Sequence, residues 1–249
     1  RLYGIFFSLG IISGCITAYF LLKKDRRGWE SHMFDLGLVI AFAGIVGGRL
    51  WDVFFFDWEY YHNHLLEIPY IWQGGMAIQG GIIFACIAAY FYLKKHQIPV
   101  LPFADTVTPG IILGQAIGRI ANFMNGDAFG HPTEQDFGLL YPDTTLAYHT
   151  YGAQPLWPAE VWECQGDLLI FVLLLWYGCK TRAEGTTFCL YIMFYSLLRF
   201  FLENYRGDYG TLALGLKSAQ LTSLAAFAGA FILFLYFHFK HKSKSGISE

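Results

Sequence analysis

The sequence predicts an all-α integral membrane protein with seven transmembrane helices, and three features of its composition support this. Hydrophobic residues make up 55% of the 249 residues and charged residues only 14%, about half the share expected of a soluble domain. Aromatic residues account for 19%, and the mean hydropathy is +0.40. A water-soluble protein of this size has too small an interior for so much apolar surface, so lipid must solvate part of the chain.

The seven predicted helices are runs of about 20 predominantly apolar residues, the length that crosses a hydrocarbon core. The second, third and fourth runs also contain glycines and a few polar residues. The first run continues to Leu22 without a cleavage-site pattern, so we interpret it as a membrane helix and not as a signal peptide. The runs cover residues 3–22, 33–56, 72–93, 103–125, 158–180, 185–206 and 216–239.

The basic residues predict the orientation, because Lys and Arg collect at the cytoplasmic ends of membrane helices. Eleven of the seventeen basic residues follow the first, third, fifth and seventh predicted helices, whereas residues 57–71 and 126–157 contain none. This pattern predicts an N-terminus outside the cytoplasm and a cytoplasmic C-terminus. The eleven are Lys23, Lys24, Arg26, Arg27, Lys94, Lys95, Lys180, Arg182, Lys240, Lys242 and Lys244.

The two segments without basic residues are predicted to be external. Residues 57–71 are rich in aromatic side chains, as expected for a segment that lies in the headgroup layer. Residues 126–157 are rich in Gly, Pro, Asp and Thr, a composition typical of an ordered cap. No linker or internal repeat is visible, so residues 1–249 are predicted to form a single transmembrane domain.

The composition also excludes several classes of function. A formal net charge of −2 argues against a nucleic-acid partner, which would require a basic face. No cluster of His, Cys, Asp or Glu has the spacing of metal ligands, and no motif indicates a redox or nucleotide cofactor. The five cysteines include no CxxC pair and lie in or beside apolar runs, which favours buried thiols over a disulfide framework.

Three arginines, Arg49, Arg119 and Arg199, lie inside predicted helices or close to their outer ends. An arginine at mid-bilayer costs at least about 2.5 kcal/mol, and it cannot lose its proton to avoid that cost. Each arginine therefore requires a carboxylate or an anionic substrate. For Arg49, an ion pair with Asp52 is the structural alternative to a functional role.

A glycine stripe leads into a polar cluster at the end of the fourth predicted helix. The glycines recur every four residues, a spacing that lets helices pack closely, and Arg119 and Asn122 follow on the same helix. This arrangement indicates a functional site. The alternative is that the glycines serve only helix packing and that the polar residues form a turn at the helix end. The glycines are Gly110, Gly114 and Gly118, and the external segment opens with Asn125, Gly126, Asp127 and Gly130.

The sixth predicted helix ends in RFFLENYR, which places Arg199, Glu203 and Arg206 on one helix face. Glu203 is expected to orient one arginine while the other binds an anion. Arginine suits that task because its planar guanidinium binds two phosphate oxygens at once. The alternative is that these three residues form ion pairs only with one another and bind no anion.

Two further motifs contain candidate polar residues. The fifth predicted helix begins with WPAEVWE, in which Glu160 and Glu163 also fit an ordinary helix start after Pro158. Residues 72–81, WQGGMAIQGG, contain four glycines within an apolar run. Such a stretch implies a broken helix, which is tolerated only against protein or a watery cavity, and makes Gln79 a candidate hydrogen-bond donor to a pocket.

These motifs resemble those of the prolipoprotein diacylglyceryl transferase family over nearly the whole chain. The most specific match is GRIANFMNGDAFGHPTE, residues 118–134, which is similar to the family signature. The resemblance implies that Arg119, Asn122, Asp127 and Gly130 belong to the site.

Other motifs extend the resemblance along the chain. Tyr3, in its YG motif, matches an essential tyrosine of the family, and Glu163 stands at an acidic family position. The motifs WQGGMAIQGG and RFFLENYR match two more family motifs, the second of which contains Arg199, Glu203 and Arg206.

The sequence departs from the family pattern at several positions. The family usually has histidine where Gln79 and Trp157 stand, glutamate where Asp127 stands and arginine where His131 stands. Glutamine cannot accept a proton at neutral pH, so a histidine base at position 79 is excluded here.

The resemblance implies a reaction at the outer side of the bacterial cytoplasmic (inner) membrane. Phosphatidylglycerol supplies its diacylglyceryl group, the lipobox cysteine thiol of a prelipoprotein signal peptide attacks, and glycerol-1-phosphate leaves. The expected partners are therefore phosphatidylglycerol, the prelipoprotein and other membrane lipids. A divergent relative with a different acceptor and a non-catalytic lipid-binding protein are the alternatives.

The hypothesis for the site follows from this reaction. Arg119 and Arg199 are expected to hold the phosphate, because fixed positive charge stabilises the leaving group. Glu203 would orient Arg199, and hydrogen bonds would come from Tyr3, Asn122 and Gln79. Gly130 and Arg206 would also contact substrate. The base that removes the thiol proton is left open. Glu163 and Asp127 are the candidates, and the alternative is that the positive field of the arginines lowers the pKa of the thiol.

Overall fold

The computed structural model describes residues 2–178, 183–207 and 215–245. Regular structure in these residues is helical, with three isolated β-bridges and no strand, so the predicted all-α class is confirmed. Seven helices have seventeen or more residues. They are α1 (Leu2–Asp25), α2 (Met33–Trp51), α4 (Ile78–Lys95), α5 (Val100–Asn125), α7 (Ala159–Gly178), α8 (Thr186–Leu202) and α9 (Ser218–Ser245), and the short helices are α3 (Trp58–Tyr61) and α6 (Leu146–Tyr151).

Five helical segments of the described residues are long and apolar enough to cross a membrane. Large apolar side chains on them are exposed, such as Phe42 at 72% and Ile232 at 66%, as expected of a surface that faces lipid. The two other long helices, α4 and α7, contain 18 and 20 residues. The five segments are Tyr3–Asp25, Trp29–Phe56, Val100–Asn125, Thr186–Tyr205 and Ser218–Lys242.

Some helix boundaries differ from those predicted. The helix predicted to start at residue 72 begins at Ile78, because Gly74 and Gly75 have positive φ angles of 91° and 71°, which break the helix. The helix predicted to end at residue 206 stops at Leu202 and continues as a 3-10 turn. Two basic residues used to predict the orientation, Lys180 and Arg182, lie outside the described residues.

The chain divides into two compact units, one of Arg26–Phe103 and one of Arg1–Asp25 with Ala104–Glu249. In the first of these, α2 packs against α4 through glycines. A Cβ at Gly47 would collide with Phe84 and with the carbonyl of Gly80. Only residues without a side chain permit this close approach of two helices.

Arg49, at the end of α2, is buried among backbone carbonyls of the same unit. Its ion pair with Asp52 is long, at 3.9 Å, whereas its guanidinium donates hydrogen bonds to five carbonyls. Arg49 therefore fixes the segment that joins α3 to α4, and it does so mainly through backbone carbonyls and not through the predicted ion pair with Asp52. The carbonyls are those of Glu67, Ile68, Tyr70, Gly74 and Gly75, at 2.7–3.5 Å.

We expect Arg49→Lys to lower the melting temperature of the detergent-solubilised protein. An ammonium group has three donors and cannot reach five carbonyls, and each lost hydrogen bond to a charged group costs about 1.5–3 kcal/mol. Arg26→Lys, at an exposed position, is the control and should leave the melting temperature unchanged. Equal melting temperatures for all three proteins would contradict the role given to Arg49.

In the second unit, α1 packs against α5 through paired glycines. A Cβ at Gly14 would lie 2.7 Å from the carbonyl oxygen of Gly110, and one at Gly10 would lie 2.8 Å from that of Gly114. A Cβ at Gly10 would also lie 3.4 Å from the backbone N of Gly118, whereas a Cβ at Gly118 itself has no atom within 4 Å. The contact of α1 with α5 therefore reaches the backbone of Gly118, and the space that a side chain at Gly118 would occupy is open.

The core of the second unit joins α5, α7 and α8. Ile112 of α5 and Ile170 and Leu174 of α7 are buried together. Asp105, near the start of α5, accepts hydrogen bonds from the backbone N–H groups of Gly185 and Phe188 at 2.6 and 2.9 Å. These contacts satisfy the free N–H groups at the start of α8, so α5 and α8 are held in register.

The segment 126–157 is ordered, as predicted from its composition. It contains α6 and a small core of its own, formed by Phe129, Ala147 and Leu156. An isolated bridge joins Gly130 to Arg206, so this segment is tied to the end of α8 and positions the residues next to the site.

Candidate functional site

A single carboxylate, that of Glu163 on α7, contacts three arginines. Glu163 Oε1 lies 2.6 Å from Arg119 of α5, and Oε2 lies 3.4 Å from Arg199 of α8 and 3.7 Å from Arg206. The Glu163 side chain is 1% exposed. The structure therefore brings the two predicted phosphate-binding arginines, Arg119 and Arg199, together on one buried group.

Glu203 is the second carboxylate of this cluster. It is fully buried and lies 2.8 Å from Arg199 and 3.9 Å from Arg206. The predicted ladder along the end of α8 is therefore present, but both of its arginines also reach Glu163 on the neighbouring helix.

The cluster retains positive charge that faces open space. Three guanidinium groups and two carboxylates of the cluster carry a formal net charge of +1. The side chains of Arg119 and Arg199 are 19% and 15% exposed, so they can contact a ligand. Arg199 also lines a cavity of about 330 Å³ between α8 and α9, together with Tyr195 and Ser223. The arrangement can hold a singly charged anion.

Backbone contacts fix the end of α8. The helix tightens into a 3-10 turn at Glu203–Tyr205, and Lys217 Nζ donates to the carbonyl oxygens of Glu203 and Arg206. A cation at this position satisfies carbonyls that the helix end leaves without partners. The 3-10 turn and the two hydrogen bonds of Lys217 therefore hold Glu203 and Arg206 in position.

The polar residues after Arg119 form a chain of hydrogen bonds. Arg119 donates to Asn122 Oδ1 at 3.4 Å, and Asn122 donates to Asp127 Oδ1 at 2.6 Å. Asn125 donates to the other oxygen of Asp127 at 2.8 Å. Asn122 and Asp127 thus help to position the guanidinium of Arg119, which also contacts Glu163.

Gly130 positions Arg206 through the backbone. The two residues face each other in an isolated antiparallel bridge, and a Cβ at Gly130 would collide with the carbonyl and side chain of Trp157. No larger residue fits without displacing Trp157. The predicted contact of Gly130 with substrate stays a prediction.

Two other predicted site residues lie at helix starts. Tyr3, near the start of α1, is 37% exposed and lies within electrostatic reach of Asp127 and Arg119. Gln79 is exposed on the first turn of α4, in the unit Arg26–Phe103. Its predicted contact with substrate stays a prediction.

Sequence reasoning missed two polar residues of this cluster. Tyr195 accepts a hydrogen bond from Arg119 at 3.2 Å and donates one to Glu163 at 3.5 Å. Asp167 is fully buried one turn after Glu163 on α7. The available signal was helical spacing, because Tyr195 lies four residues before Arg199 and Asp167 four residues after Glu163.

Among the described residues, no three His, Cys, Asp or Glu side chains are arranged to hold a metal ion. The ring of His131 lies 6.5 Å from that of Trp157, measured between centroids. The cluster contains arginine and carboxylate groups and the hydroxyl of Tyr195.

Comparison with known proteins identifies the family. The family model described as prolipoprotein diacylglyceryl transferase matches residues 1–236. A phosphatidylglycerol–prolipoprotein diacylglyceryl transferase of Staphylococcus saprophyticus is 36% identical over 228 residues, 90% of this chain and 80% of that protein. Relatives of the same name from Geobacillus kaustophilus and Finegoldia magna are each 36% identical, over 89% and 93% of this chain and 82% and 88% of their own lengths. The chain therefore belongs to the prolipoprotein diacylglyceryl transferase family and is a transferase.

Proposed function

We propose that this protein transfers the diacylglyceryl group of phosphatidylglycerol to the lipobox cysteine thiol of prelipoproteins and releases glycerol-1-phosphate. The observation that carries the proposal is the convergence of Arg119 and Arg199 on Glu163, at 2.6 and 3.4 Å. The relatives at 36% identity bear names that include both phosphatidylglycerol and prolipoprotein.

The arginine cluster fits the charge of the lipid before the reaction. The phosphodiester of phosphatidylglycerol has one negative charge, and the cluster has a formal net charge of +1. Arg119 and Arg199 would bind its oxygens through their planar donors, with Glu203 holding Arg199 in place. Tyr3 and Asn122 would add hydrogen bonds to the headgroup, and Asp127, Gly130 and Arg206 would shape its surroundings.

The reaction places new negative charge on the phosphate. The thiol sulfur forms a bond to the glyceryl carbon, the carbon–oxygen bond breaks, and the leaving phosphate takes the electron pair while the thiol proton is released. Guanidinium groups already in place stabilise the growing charge without reorganisation. Arg119 and Arg199 would therefore bind the transition state more tightly than the lipid itself.

The geometry argues against Glu163 as the base. Both carboxylate oxygens of Glu163 are already engaged by arginines. Asp127 already accepts two amide hydrogen bonds. We therefore favour the third possibility, in which the field of the arginines stabilises the thiolate form of the lipobox cysteine.

The assay that tests this function compares donor lipids. Full-length protein in liposomes is incubated with a lipobox peptide and radiolabelled phosphatidylglycerol, and labelled peptide and free glycerol-1-phosphate are measured. Both products should appear in equal amounts, and phosphatidylcholine should give neither. Release of glycerol-1-phosphate with a different thiol or amine acceptor alone would favour a divergent relative, whereas binding without release would favour a lipid-binding protein.

We also propose that the chain crosses the bacterial cytoplasmic membrane seven times as a single domain, with its C-terminus in the cytoplasm. Lys23 and Lys24 end α1, and Lys94 and Lys95 end α4, as expected of cytoplasmic helix ends. Arg119 and Arg199 lie near the ends of α5 and α8 that would face outward, and residues 57–71 and 126–157 would lie outside.

Cysteine labelling tests this orientation. In a cysteine-free background, Asp136→Cys should react with a membrane-impermeant maleimide in intact cells, because residue 136 is exposed in the external segment. Lys242→Cys, exposed on α9, should react only after lysis. The reverse pattern would overturn the orientation, and labelling of both in intact cells would overturn the number of crossings.

A further inference from the structure

Asp167 is a buried carboxyl group that the proposed reaction does not use. Asp167 is 0% exposed, and neither of its carboxyl oxygens has a hydrogen-bond partner among the described residues. An ionised carboxylate in such surroundings is very unfavourable, and buried polar groups are normally satisfied. The position of Asp167 therefore requires a functional explanation.

The groups that face Asp167 belong to the proposed phosphate site. Glu163 and Cys164 lie four and three residues before it on α7, and Arg119 of α5 is within electrostatic reach. Tyr195 and Arg199 of α8 are also within electrostatic reach. Although both arginines are within electrostatic reach, their direct ion pairs are made with Glu163 and Glu203.

The charge of Asp167 changes the balance of the whole cluster. With Asp167 neutral, three arginines and the carboxylates of Glu163 and Glu203 have a net charge of +1, which one phosphodiester neutralises. With Asp167 ionised, the charges of these three arginines and three carboxylates sum to zero without a ligand. A carboxylate within electrostatic reach of Arg119 and Arg199 would then compete with the phosphate for them.

We propose that Asp167 is a positioning residue whose neutral form leaves Arg119 and Arg199 available to the lipid phosphate and whose ionised form competes with that phosphate. This inference rests on the proposed function only in taking these arginines as the phosphate site. No contact between Asp167 and substrate is required, because the residue acts through the two guanidinium groups.

The inference has a thermodynamic consequence. If protonation of Asp167 favours binding of the phosphate, then binding of the phosphate favours protonation of Asp167 to the same extent. The affinity for phosphatidylglycerol then falls as the pH rises and Asp167 ionises. For one linked proton, the dissociation constant increases by at most about tenfold per pH unit.

The test measures the affinity of the full-length protein in nanodiscs for phosphatidylglycerol, without an acceptor peptide, as a function of pH. The wild-type dissociation constant should rise with pH. Asp167→Asn, which keeps the shape of the neutral acid, should hold the low-pH wild-type value throughout. A flat wild-type profile, an unchanged pH dependence in Asp167→Asn, or its loss of affinity at every pH would each overturn the assignment.

Three controls separate this effect from others. Asp35→Asn makes the same chemical change at an exposed carboxyl and should keep the wild-type profile. Diacylglycerol lacks the phosphate, and its binding should not depend on pH. Wild-type protein should also take up a proton on binding phosphatidylglycerol at alkaline pH, measured by calorimetry in buffers of different ionisation enthalpy, so the inference can be tested even if Asp167→Asn does not fold.

The transfer assay distinguishes failure of the inference from failure of the proposed function. Transfer by a wild-type protein whose lipid affinity does not depend on pH would overturn the role of Asp167 alone. A pH-dependent affinity that Asp167→Asn abolishes, without transfer to the lipobox peptide, would support Asp167 and overturn the proposed acceptor.

Discussion

Arg119→Ala should reduce diacylglyceryl transfer to the lipobox peptide by about 10²–10³-fold, the usual effect of removing one fixed group that stabilises transition-state charge. Arg119 lies 2.6 Å from Glu163 and keeps an exposed fraction of 19%, so it is both anchored and accessible. The measurement is the initial rate with radiolabelled phosphatidylglycerol. The loss should fall mainly on kcat, because the charge that Arg119 stabilises grows during the reaction.

Two variants serve as controls for Arg119→Ala. Arg119→Lys keeps the charge but not the planar pair of donors, so its rate should lie between those of the wild type and Arg119→Ala. Arg26→Ala, at an exposed position, should transfer at the wild-type rate. Full transfer by a folded Arg119→Ala protein would refute the assignment of the phosphate to this arginine.

Glu163→Gln should destabilise the protein by about 3–5 kcal/mol, the cost of removing one partner from a buried ion pair. Three arginines meet on this carboxylate, and a neutral amide leaves their mutual repulsion uncompensated. We expect a lower melting temperature and a loss of transfer. Inorganic phosphate should raise the melting temperature of this variant more than that of the wild type, because the anion replaces the missing charge.

Glu160→Gln is the matched control for Glu163→Gln. Glu160 is also fully buried on α7, but its carboxylate accepts a hydrogen bond from the Tyr141 hydroxyl. The amide oxygen of a glutamine can accept the same hydrogen bond. Its destabilisation should be smaller, and phosphate should raise its melting temperature no more than that of the wild type. An equal response of both variants to phosphate would argue against an anion site at Glu163.

Helical spacing along single segments correctly predicted some contacts of the candidate site. The spacing of Arg199 and Glu203 predicted a contact that the structure gives as 2.8 Å. The spacing of the glycines predicted close packing at Gly110 and Gly114, whereas a side chain at Gly118 would meet no atom within 4 Å. Spacing reports which face of a helix a residue occupies, but not how closely a neighbouring helix approaches each position on that face.

The contacts between helices could not be predicted in this way. Glu163 looked equally like an ordinary acid at a helix start, yet it is the group on which Arg119, Arg199 and Arg206 converge. Tyr195 was missed because only its spacing of four residues from Arg199 separates it from the lipid-facing aromatic residues of the same apolar helix.

By itself, the sequence determined that the protein is helical, that it is embedded in lipid and that it belongs to a family with a recognisable arginine-containing signature. These properties depend on composition and on residues close together in the chain. Only the tertiary structure decided that Arg49 is held by backbone carbonyls while Arg119 and Arg199 share one carboxylate. The physical reason is that a buried charge is satisfied by whichever group packing brings to it, and packing joins residues that are distant in the sequence.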